Sequence, residues 1–275
     1  MKKYFAPLAA AVLGLTLAAC GQSGSADATG ADKKEIKVGL PPSAHNVLME
    51  RLVKPALEKE GYSVKLVNFS SLRDANTALV EGGVDMNAAQ HQAYLDVYNR
   101  ETGNDLVSVV HIPSIPAALF STKQSTVDAV KTGDTVLIPN DPSNAARSYA
   151  LLAKMGWITL KLGAELATLT QQQIAENPHQ LSFKEVDSAL IPRMLDEVNY
   201  GIMPGGVAWL SKIGSDKALV QETFLPELEL MVVVKKGDET TQWAQDVKKA
   251  YQSDELKTFI DTDPETKGWF VWPQG

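Results

Sequence analysis

Cysteine is almost absent from this sequence. Cys20 is the single cysteine among 275 residues, which excludes a disulfide within the chain and a zinc site built from several thiolates. The four histidines, His45, His91, His111 and His179, do not show the spacings typical of metal ligands. The sequence also lacks a Gly-x-Ser-x-Gly motif and a phosphate-binding loop. We therefore expect no metal and no other cofactor, and a binding function rather than an enzymatic one.

Positive charge is also scarce. The chain has 26 Lys and Arg against 33 Asp and Glu. Removal of a leader that carries Lys2 and Lys3 leaves 24 basic residues and a net charge of −9. Because no basic stripe with interleaved aromatic side chains occurs, we expect no nucleic-acid partner. The 44% apolar composition is typical of a folded globular body.

The beginning of the chain predicts a secretory leader. Two lysines precede an apolar segment, residues 7–17, that is too short to span a bilayer as a stable helix. The following Leu17-Ala-Ala-Cys20 resembles a bacterial lipoprotein signal, in which Cys20 becomes the lipidated N-terminus. We expect residues 1–19 to be the signal peptide and residues 20–34, which are small or polar, to be a flexible tether. A free thiol in an unprocessed leader is the alternative.

The rest of the chain predicts an α/β fold with two lobes. Strand-like and helix-like segments alternate, which favours mostly parallel sheets covered by helices. Prolines at positions 113 and 116 interrupt this pattern, and a second α/β series follows. We expect residues 35–117 and 227–275 to form the first lobe and residues 118–226 the second. Ligands of such folds bind at the carboxyl ends of the strands, in the cleft between the lobes.

Individual elements are predicted from hydrophobic periodicity and from Gly and Pro positions. Strands are expected at Ile36–Leu40, Val64–Phe69, Val84–Ala88, Leu106–Ile112, Thr135–Ile138, Leu181–Val186 and Glu229–Lys235. Helices are expected around Leu48–Val53 with a bend or restart at Pro55, and at Leu72–Leu79, His91–Arg100, Pro142–Met155, Leu169–Glu176, Thr240–Tyr251 and Asp254–Ile260.

The stretch from Thr135 to Arg147 contains the strongest candidate for a ligand site. A short apolar strand turns directly into a helix capped by Asp141, which directs N–H groups and the positive end of the helix dipole into a crevice. Arg147 lies further along this helix and offers a planar fork for a carboxylate. Asn140 and Asn144 add neutral donors and acceptors. These residues favour a site for a small anion, most simply the carboxylate of an amino acid. An ordinary strand–helix turn with an exposed arginine is the alternative.

Several stretches resemble the family of NlpA/methionine-binding lipoproteins. They include Ile36-Lys-Val-Gly39, Gln90-His91 followed by Tyr94-Leu-Asp96, Pro139-Asn-Asp-Pro-Ser-Asn144 with Arg147, and Gln252-Ser-Asp-Glu-Leu256. The resemblance implies the substrate-binding lipoprotein of an ABC importer, with a type II periplasmic-binding-protein fold whose two hinged lobes close on methionine, a related amino acid or a short peptide. It also implies an ABC permease and ATPase as partners, a monomer, and a lipid anchor in a bacterial envelope membrane, facing the periplasm or the exterior. An adhesin or antigen role is the other function that we consider.

The ligand contacts of this family carry over in part. The resemblance assigns the ligand carboxylate to Arg147, a polar contact to Asn144, and the cleft-facing His-x-x-Tyr segment to His91 and Tyr94. Each of the last two also has a purely structural alternative, namely a helix cap for His91 and a core position for Tyr94. Asn140 has such an alternative as well, because it can form an Asx-turn.

Two positions depart from the family pattern. Paired phenylalanines that pack on the methionine side chain are replaced by Ala88 and Ala89, and the Asn-Gly-Asn that holds the amino group corresponds to Pro204-Gly205-Gly206. With Ala88 and Gly205 at the site, we expect a pocket that is wider at the side-chain end and weaker at the amino end. A ligand larger than methionine is therefore one hypothesis. The other is that Tyr200 or Met203 refills the space and methionine still binds.

Overall fold

The computed structural model describes residues 33–223, 225 and 228–273. The predicted signal peptide, Cys20 and all but the last two residues of the predicted tether lie outside the described residues. Within those ranges, no helix combines the length and the apolar character needed to cross a bilayer.

The sheet of the first lobe has the strand order β2-β1-β3-β12-β4. Its strands are β1 (Glu35–Leu40), β2 (Ser63–Asn68), β3 (Met86–His91), β4 (Val107–His111) and β12 (Leu230–Val234). The pairs β1–β2 and β1–β3 are parallel, whereas β12 is antiparallel to both of its neighbours. β12 is apolar throughout because it lies inside the sheet and four of its five residues are buried.

The sheet of the second lobe has the order β11-β5-β10-β6-β9. Its strands are β5 (Ala118–Phe120), β6 (Thr135–Pro139), β9 (Ser182–Val186), β10 (Tyr200–Met203) and β11 (Val220–Gln221). β6 is parallel to β9 and β10, while β5 is antiparallel to β10 and β11. A separate antiparallel pair is formed by β7 (Thr159–Leu160) and β8 (Ile174–Glu176).

The α-helices flank these two sheets. Among the described residues they are α1 (Asn46–Leu48), α2 (Lys54–Lys59), α3 (Leu72–Glu81), α4 (Gln92–Thr102), α5 (Pro142–Lys154), α6 (Ile191–Met194), α7 (Gly205–Leu210), α8 (Gln242–Tyr251) and α9 (Asp254–Thr262). A π-helical turn at Met49–Val53 separates α1 from α2. Pro55 has no N–H to donate and its ring crowds the preceding turn, so the helix widens before Pro55 and restarts at α2, as predicted.

Each of the two five-stranded sheets is mostly parallel, as predicted: one strand, β12 in the first and β5 in the second, runs against the other four. Two expectations about the elements were wrong. The third strand runs to His91 instead of ending at Ala88. The helix expected at Leu169–Glu176 is a 3-10 turn, Gln171–Gln173, followed by β8. The glutamine-rich segment has a high helix propensity, but pairing with β7 overrides it.

Each lobe has its own hydrophobic core, and the chain crosses between the sheets twice. Val232 and Trp243 are buried in the first core, and Ile138 and Tyr149 in the second. We call residues 112–117 the first crossover and residues 222–229 the second crossover, of which residues 224, 226 and 227 are not described. The predicted lobe boundaries at 117/118 and 226/227 stay predictions.

Two tryptophans lie where the lobes meet. Trp269 packs against hydrophobic clusters of both lobes. Trp209 lies in α7, the helix that follows β10. Its indole Nε1 donates to the carbonyl oxygen of Glu265 at 3.0 Å. Beyond them, Val271 pairs with Ser114 of the first crossover in an isolated antiparallel bridge. The C-terminal segment therefore packs along the junction between the lobes.

Candidate functional site

A cleft with a volume of about 210 Å³ lies between the lobes. It is bounded by the segments that follow the carboxyl ends of β1, β3, β6, β9 and β10, which is where ligands of open α/β sheets bind. Five large aliphatic side chains supply apolar wall: Leu72, Ile115, Val207, Leu210 and Leu230. The polar wall includes Ser43, His45, Gln90, His91, Tyr94, Asn144, Arg147 and Ser188.

Helix α5 begins as the sequence predicts, with Asp141 as its N-cap. The Asp141 carboxylate accepts a hydrogen bond from the backbone N–H of Asn144 at 3.0 Å and two from its side-chain amide at 3.1 Å. An internal carboxylate therefore occupies the helix N-terminus that the sequence suggested for a ligand anion. It also fixes the Asn144 amide, so that Oδ1 of Asn144 accepts from Arg147 Nη1 at 2.8 Å.

Arg147 is buried, with only 5% of its surface exposed. Its Nε donates to Oε2 of Glu222 at 3.0 Å, and its Nη2 donates to Oε1 of Glu222. Glu222 belongs to the second crossover and also accepts from the backbone N–H of Ala117, in the first crossover, at 2.6 Å. The alternative of an ordinary exposed arginine is therefore wrong.

The hydrogen-bond inventory of Arg147 leaves capacity for a ligand. A guanidinium carries five N–H donors. Among the described residues, Glu222 takes one from Nε and one from Nη2, and Asn144 takes one from Nη1. One N–H remains on each terminal nitrogen, and Arg147 lines the cleft. A carboxylate is the group that such a pair of donors binds best.

His91 joins the two lobes at the cleft. It is the last residue of β3 and the N-cap of α4, because its Nδ1 accepts from the backbone N–H of Tyr94 at 3.2 Å. Its side chain also hydrogen-bonds to that of Asn144, across the cleft. Burial, reinforced by the positive charge of Arg147, lowers the pKa of His91 to about 3, with the bond to Asn144 opposing. His91 is therefore neutral at physiological pH, with its proton on Nε2, and it both caps a helix and lines the cleft.

Tyr94 lies half-buried beside His91, with the two rings edge to face and their centroids 6.5 Å apart. Burial, with a smaller contribution from the charge of Asp141, raises the pKa of Tyr94. Its hydroxyl is therefore a neutral group at the cleft wall, and the structure places Tyr94 in the cleft lining as well as against the neighbouring apolar cluster.

Sequence reasoning gave no role to a buried amide network beneath the cleft. Gln90 Nε2 donates to Oδ1 of Asn76 at 2.7 Å and to Oδ1 of Asn87 at 2.9 Å, while Asn76 Nδ2 donates back to Oε1 of Gln90 at 2.9 Å. All three side chains are at most 1% exposed. The available signal was the occurrence of amide side chains at positions of a strand and a helix where buried apolar residues are expected. A buried amide needs hydrogen-bond partners, so such positions indicate a network. The network leaves Gln90, which lines the cleft, with no donor of its own for a ligand.

Two residues predicted for the site, Ala88 and Gly205, do not line the cleft, and the next residue along the chain lines it in each case. Ala88 is buried in the core of the first lobe, and Ala89 lines the cleft instead, because successive side chains of a strand point to opposite faces. Gly205 is packed against the first crossover, where a Cβ would lie 2.2 Å from Cγ2 of Ile115. Gly206 lines the cleft, and a Cβ there would meet nothing closer than the Ala44 Cβ at 3.9 Å.

Asn140 does not reach the cleft either. It is exposed and directly follows β6, and its backbone N–H donates to the carbonyl oxygen of Val186 at 2.9 Å. Tyr200 and Met203, the two candidates for refilling the pocket, are fully buried in the second lobe. The apolar wall of the cleft is supplied by the five aliphatic side chains named above. Ala88, Gly205 and Asn140 are not part of the cleft lining because of the direction in which these residues face. That direction depends on the exact register of the strand or helix.

Comparison with known proteins finds likenesses that cover almost the whole chain. Residues 36–272 match the family model described as NlpA lipoprotein. The chain is 37% identical to the D-methionine-binding lipoprotein MetQ of Salmonella typhi, over 97% of this chain and 98% of that protein. Many solved structures are also similar, and two of them illustrate the likeness. One is a nutrient-binding protein from Burkholderia cenocepacia bound to methionine, with a TM-score of 0.80, 32% identity and coverage of 86% and 99% of the two chains.

The other solved structure is lipoprotein Tp32 from Treponema pallidum, with a TM-score of 0.80, 30% identity and coverage of 84% and 96%. These likenesses extend over almost all of the described residues. They confirm the predicted fold class, a two-lobed α/β fold of the periplasmic-binding-protein type.

Proposed function

The chain belongs to the NlpA lipoprotein family, and from this premise we propose that it is the substrate-binding lipoprotein of an ABC importer and captures a methionine-type amino acid between its two lobes. One observation carries this proposal. Arg147 is a buried guanidinium on the cleft wall, and its partners among the described residues leave one N–H on each terminal nitrogen for a ligand. Such a group binds the carboxylate of a small ligand and fixes its orientation.

The size and chemistry of the cleft favour a single apolar amino acid. Its volume of about 210 Å³ is below the range of roughly 300–1,000 Å³ for pockets that hold drug-sized molecules. Leu72, Leu210 and Leu230 provide the walls that an apolar side chain buries, at about 25 cal/mol per Å² of buried surface. The relatives named for methionine agree with this chemistry.

Other features of the proposal follow from the family. The protein acts without turnover, as a monomer that delivers its ligand to an ABC permease and ATPase. Cys20 carries the lipid anchor, and the tether of residues 20–34 holds the two lobes in the cell envelope, facing the periplasm or the exterior. His91, Asn144 and Tyr94 complete the site around Arg147, since all three line the same cleft.

The decisive experiment has two steps. Native mass spectrometry of the freshly purified protein identifies any co-purified ligand. Calorimetric titration of ligand-free protein then compares L-methionine, D-methionine, leucine and the dipeptide Gly-Met. We expect micromolar or tighter binding of a methionine enantiomer and weaker binding of the dipeptide. Absence of binding by every amino acid, or binding of a ligand without a carboxylate, contradicts the proposal.

A larger ligand is the second candidate, and one observation favours it. Ala89 and Gly206 are small residues of the cleft lining, and the space next to Gly206 is open for at least one additional atom. If Gly-Met or a larger amino acid binds more tightly than methionine in the same titration, the family scaffold has been adapted to that ligand.

A further inference from the structure

The charges around the cleft are unusual for a site that holds an anion. Of the described side chains that line the cleft or hydrogen-bond to its lining, Arg147 carries the positive charge, and Glu222 and Asp141 carry negative charges. The histidines of the lining are neutral, because burial lowers the pKa of His45 to about 4 and that of His91 to about 3. The guanidinium is therefore already neutralised before any ligand arrives.

The Glu222 carboxylate is held firmly in this position. Its side chain is 6% exposed and that of Arg147 is 4% exposed. Oε1 and Oε2 each accept from the guanidinium, and Oε1 also accepts from the Ala117 N–H, so the carboxylate is fixed to both crossovers. Since Glu222 engages the Nε side of the guanidinium, it leaves donors on Nη1 and Nη2 but removes the net positive charge behind them.

This arrangement has a consequence for the charge that a ligand can carry. A plain carboxylate would gain two hydrogen bonds from Arg147 but would add a second negative charge close to Glu222, in a site shielded from water. A zwitterion brings the same carboxylate together with an ammonium group, whose charge offsets that of Glu222. The Arg147–Glu222 pair therefore presents two N–H donors to the ligand but carries no net charge.

We propose that Glu222 is a specificity-determining residue, which makes the cleft select zwitterionic amino acids against simple carboxylates of the same side chain. This proposal rests on the proposed function, because it concerns the ligand of the same site. Glu222 acts through Arg147 and is a positioning residue, which does not need to touch the ligand.

The test compares two ligands that differ in the ammonium group alone, methionine and 4-(methylthio)butanoate, by calorimetry at constant ionic strength. Glu222→Gln keeps an oxygen for the Ala117 N–H and for Arg147 but removes the charge. We expect wild-type protein to prefer methionine, and we expect Glu222→Gln to reduce the ratio of the two affinities about 10- to 100-fold, as an effective dielectric constant near 20 implies. A purely structural role for Glu222 would weaken both ligands equally and leave the ratio unchanged.

Glu185→Gln is the matched control. Glu185 lies in the same lobe and accepts from the Tyr149 hydroxyl at 3.1 Å, whereas the described partners of Arg147 are Glu222 and Asn144. Its loss removes one negative charge from the lobe and should leave the affinity ratio at the wild-type value. An equal change in both variants, or an unchanged ratio in Glu222→Gln, overturns the proposal even when methionine binds the wild type well.

A melting curve shows whether Glu222→Gln is folded. If it is not, the wild type decides alone: rejection of 4-(methylthio)butanoate by 100-fold or more supports the proposal, and binding as tight as that of methionine overturns it. Wild-type protein that binds neither compound nor any other amino acid refutes the proposed function, and the inference with it. The two failures are distinguishable because methionine still binds the wild type in the first, whereas no amino acid binds it in the second.

Discussion

His45 is tied to the first crossover, with its Nε2 atom 2.7 Å from the carbonyl oxygen of Pro113. A carbonyl oxygen can only accept, so Nε2 carries a proton and donates it. The Nδ1 atom lies 3.3 Å from the Ser43 hydroxyl, and the ring is 3% exposed. Burial lowers the pKa of His45 to about 4, against the opposing effect of the bond to Pro113. A neutral histidine therefore connects the start of the first helix to the segment between the lobes.

Acid is expected to weaken the fold through His45 and His91. The pKa of each is depressed in the folded protein, to about 4 and about 3, from the ordinary value of 6.5. Below pH 6.5 the unfolded chain binds more protons than the folded one. The stability that the two neutral rings contribute is therefore complete above pH 6.5 and is lost as the pH falls toward the folded values, by at most about 1.4 kcal/mol per pH unit for each.

Urea unfolding at pH 7 and pH 4.5 measures this loss. His45→Gln and His91→Gln should each reduce the difference between the free energies of unfolding at the two pH values, because glutamine does not titrate. A pH dependence that is the same in both variants and in the wild type would show that other groups cause it.

Removal of Arg147 is expected to damage the fold as well as the ligand site. Arg147→Ala leaves the carboxylate of Glu222 buried without its cation, which costs about 3–5 kcal/mol in comparable buried pairs. The double variant Arg147→Ala with Glu222→Ala should recover a large part of this loss, since no charge remains buried. Denaturant unfolding of the two single variants and the double variant gives the coupling energy directly. Additive losses would contradict the buried pair.

Gly205 and Gly206 are expected to respond differently to the same substitution. Gly205→Ala forces a methyl group to within 2.3 Å of the Pro116 carbonyl oxygen and should destabilise the protein by about 1–3 kcal/mol. Gly206→Ala meets only the Ala44 Cβ at 3.9 Å and lies in the first turn of α7, so it should be neutral or slightly stabilising. Thermal melting of the two variants compares them. A larger loss in Gly206→Ala than in Gly205→Ala would refute this packing.

Cys20→Ala is expected to release the protein from the membrane fraction. The Leu-Ala-Ala-Cys20 sequence after a short apolar segment predicts lipidation at this residue, and acyl chains provide the anchor. Fractionation, together with the intact mass of the wild type, tests the prediction. A wild-type mass without lipid, combined with an unchanged distribution of Cys20→Ala, would exclude Cys20 as the anchor.

Local features of the site were predictable from sequence. The β6–α5 turn, the Asp141 cap and the position of Arg147 near the start of α5 all depend on residues within a few positions of one another. The match of sequence motifs to the family placed Arg147, Asn144, His91 and Tyr94 in one cleft, which the structure also does.

Features that depend on distant partners or on register were not predictable. The carboxylate that neutralises Arg147 comes from a residue 75 positions further along the chain, and no local pattern connects them. Ala88 was assigned to the cleft in place of Ala89 because a motif identifies a pair of residues but not the face to which each points. A shift of one residue along a strand reverses that face.

The tryptophans at the junction of the lobes give this protein a built-in optical reporter. Trp269 packs against both lobes, and the Trp209 indole is held to the Glu265 carbonyl. Separation of the lobes would bring water to these rings and shift their emission to longer wavelength, while closure on a ligand would reverse the shift. Ligand titrations can therefore be followed by intrinsic fluorescence without an attached dye, and Trp243, buried in the first core, supplies a signal that such a movement leaves constant.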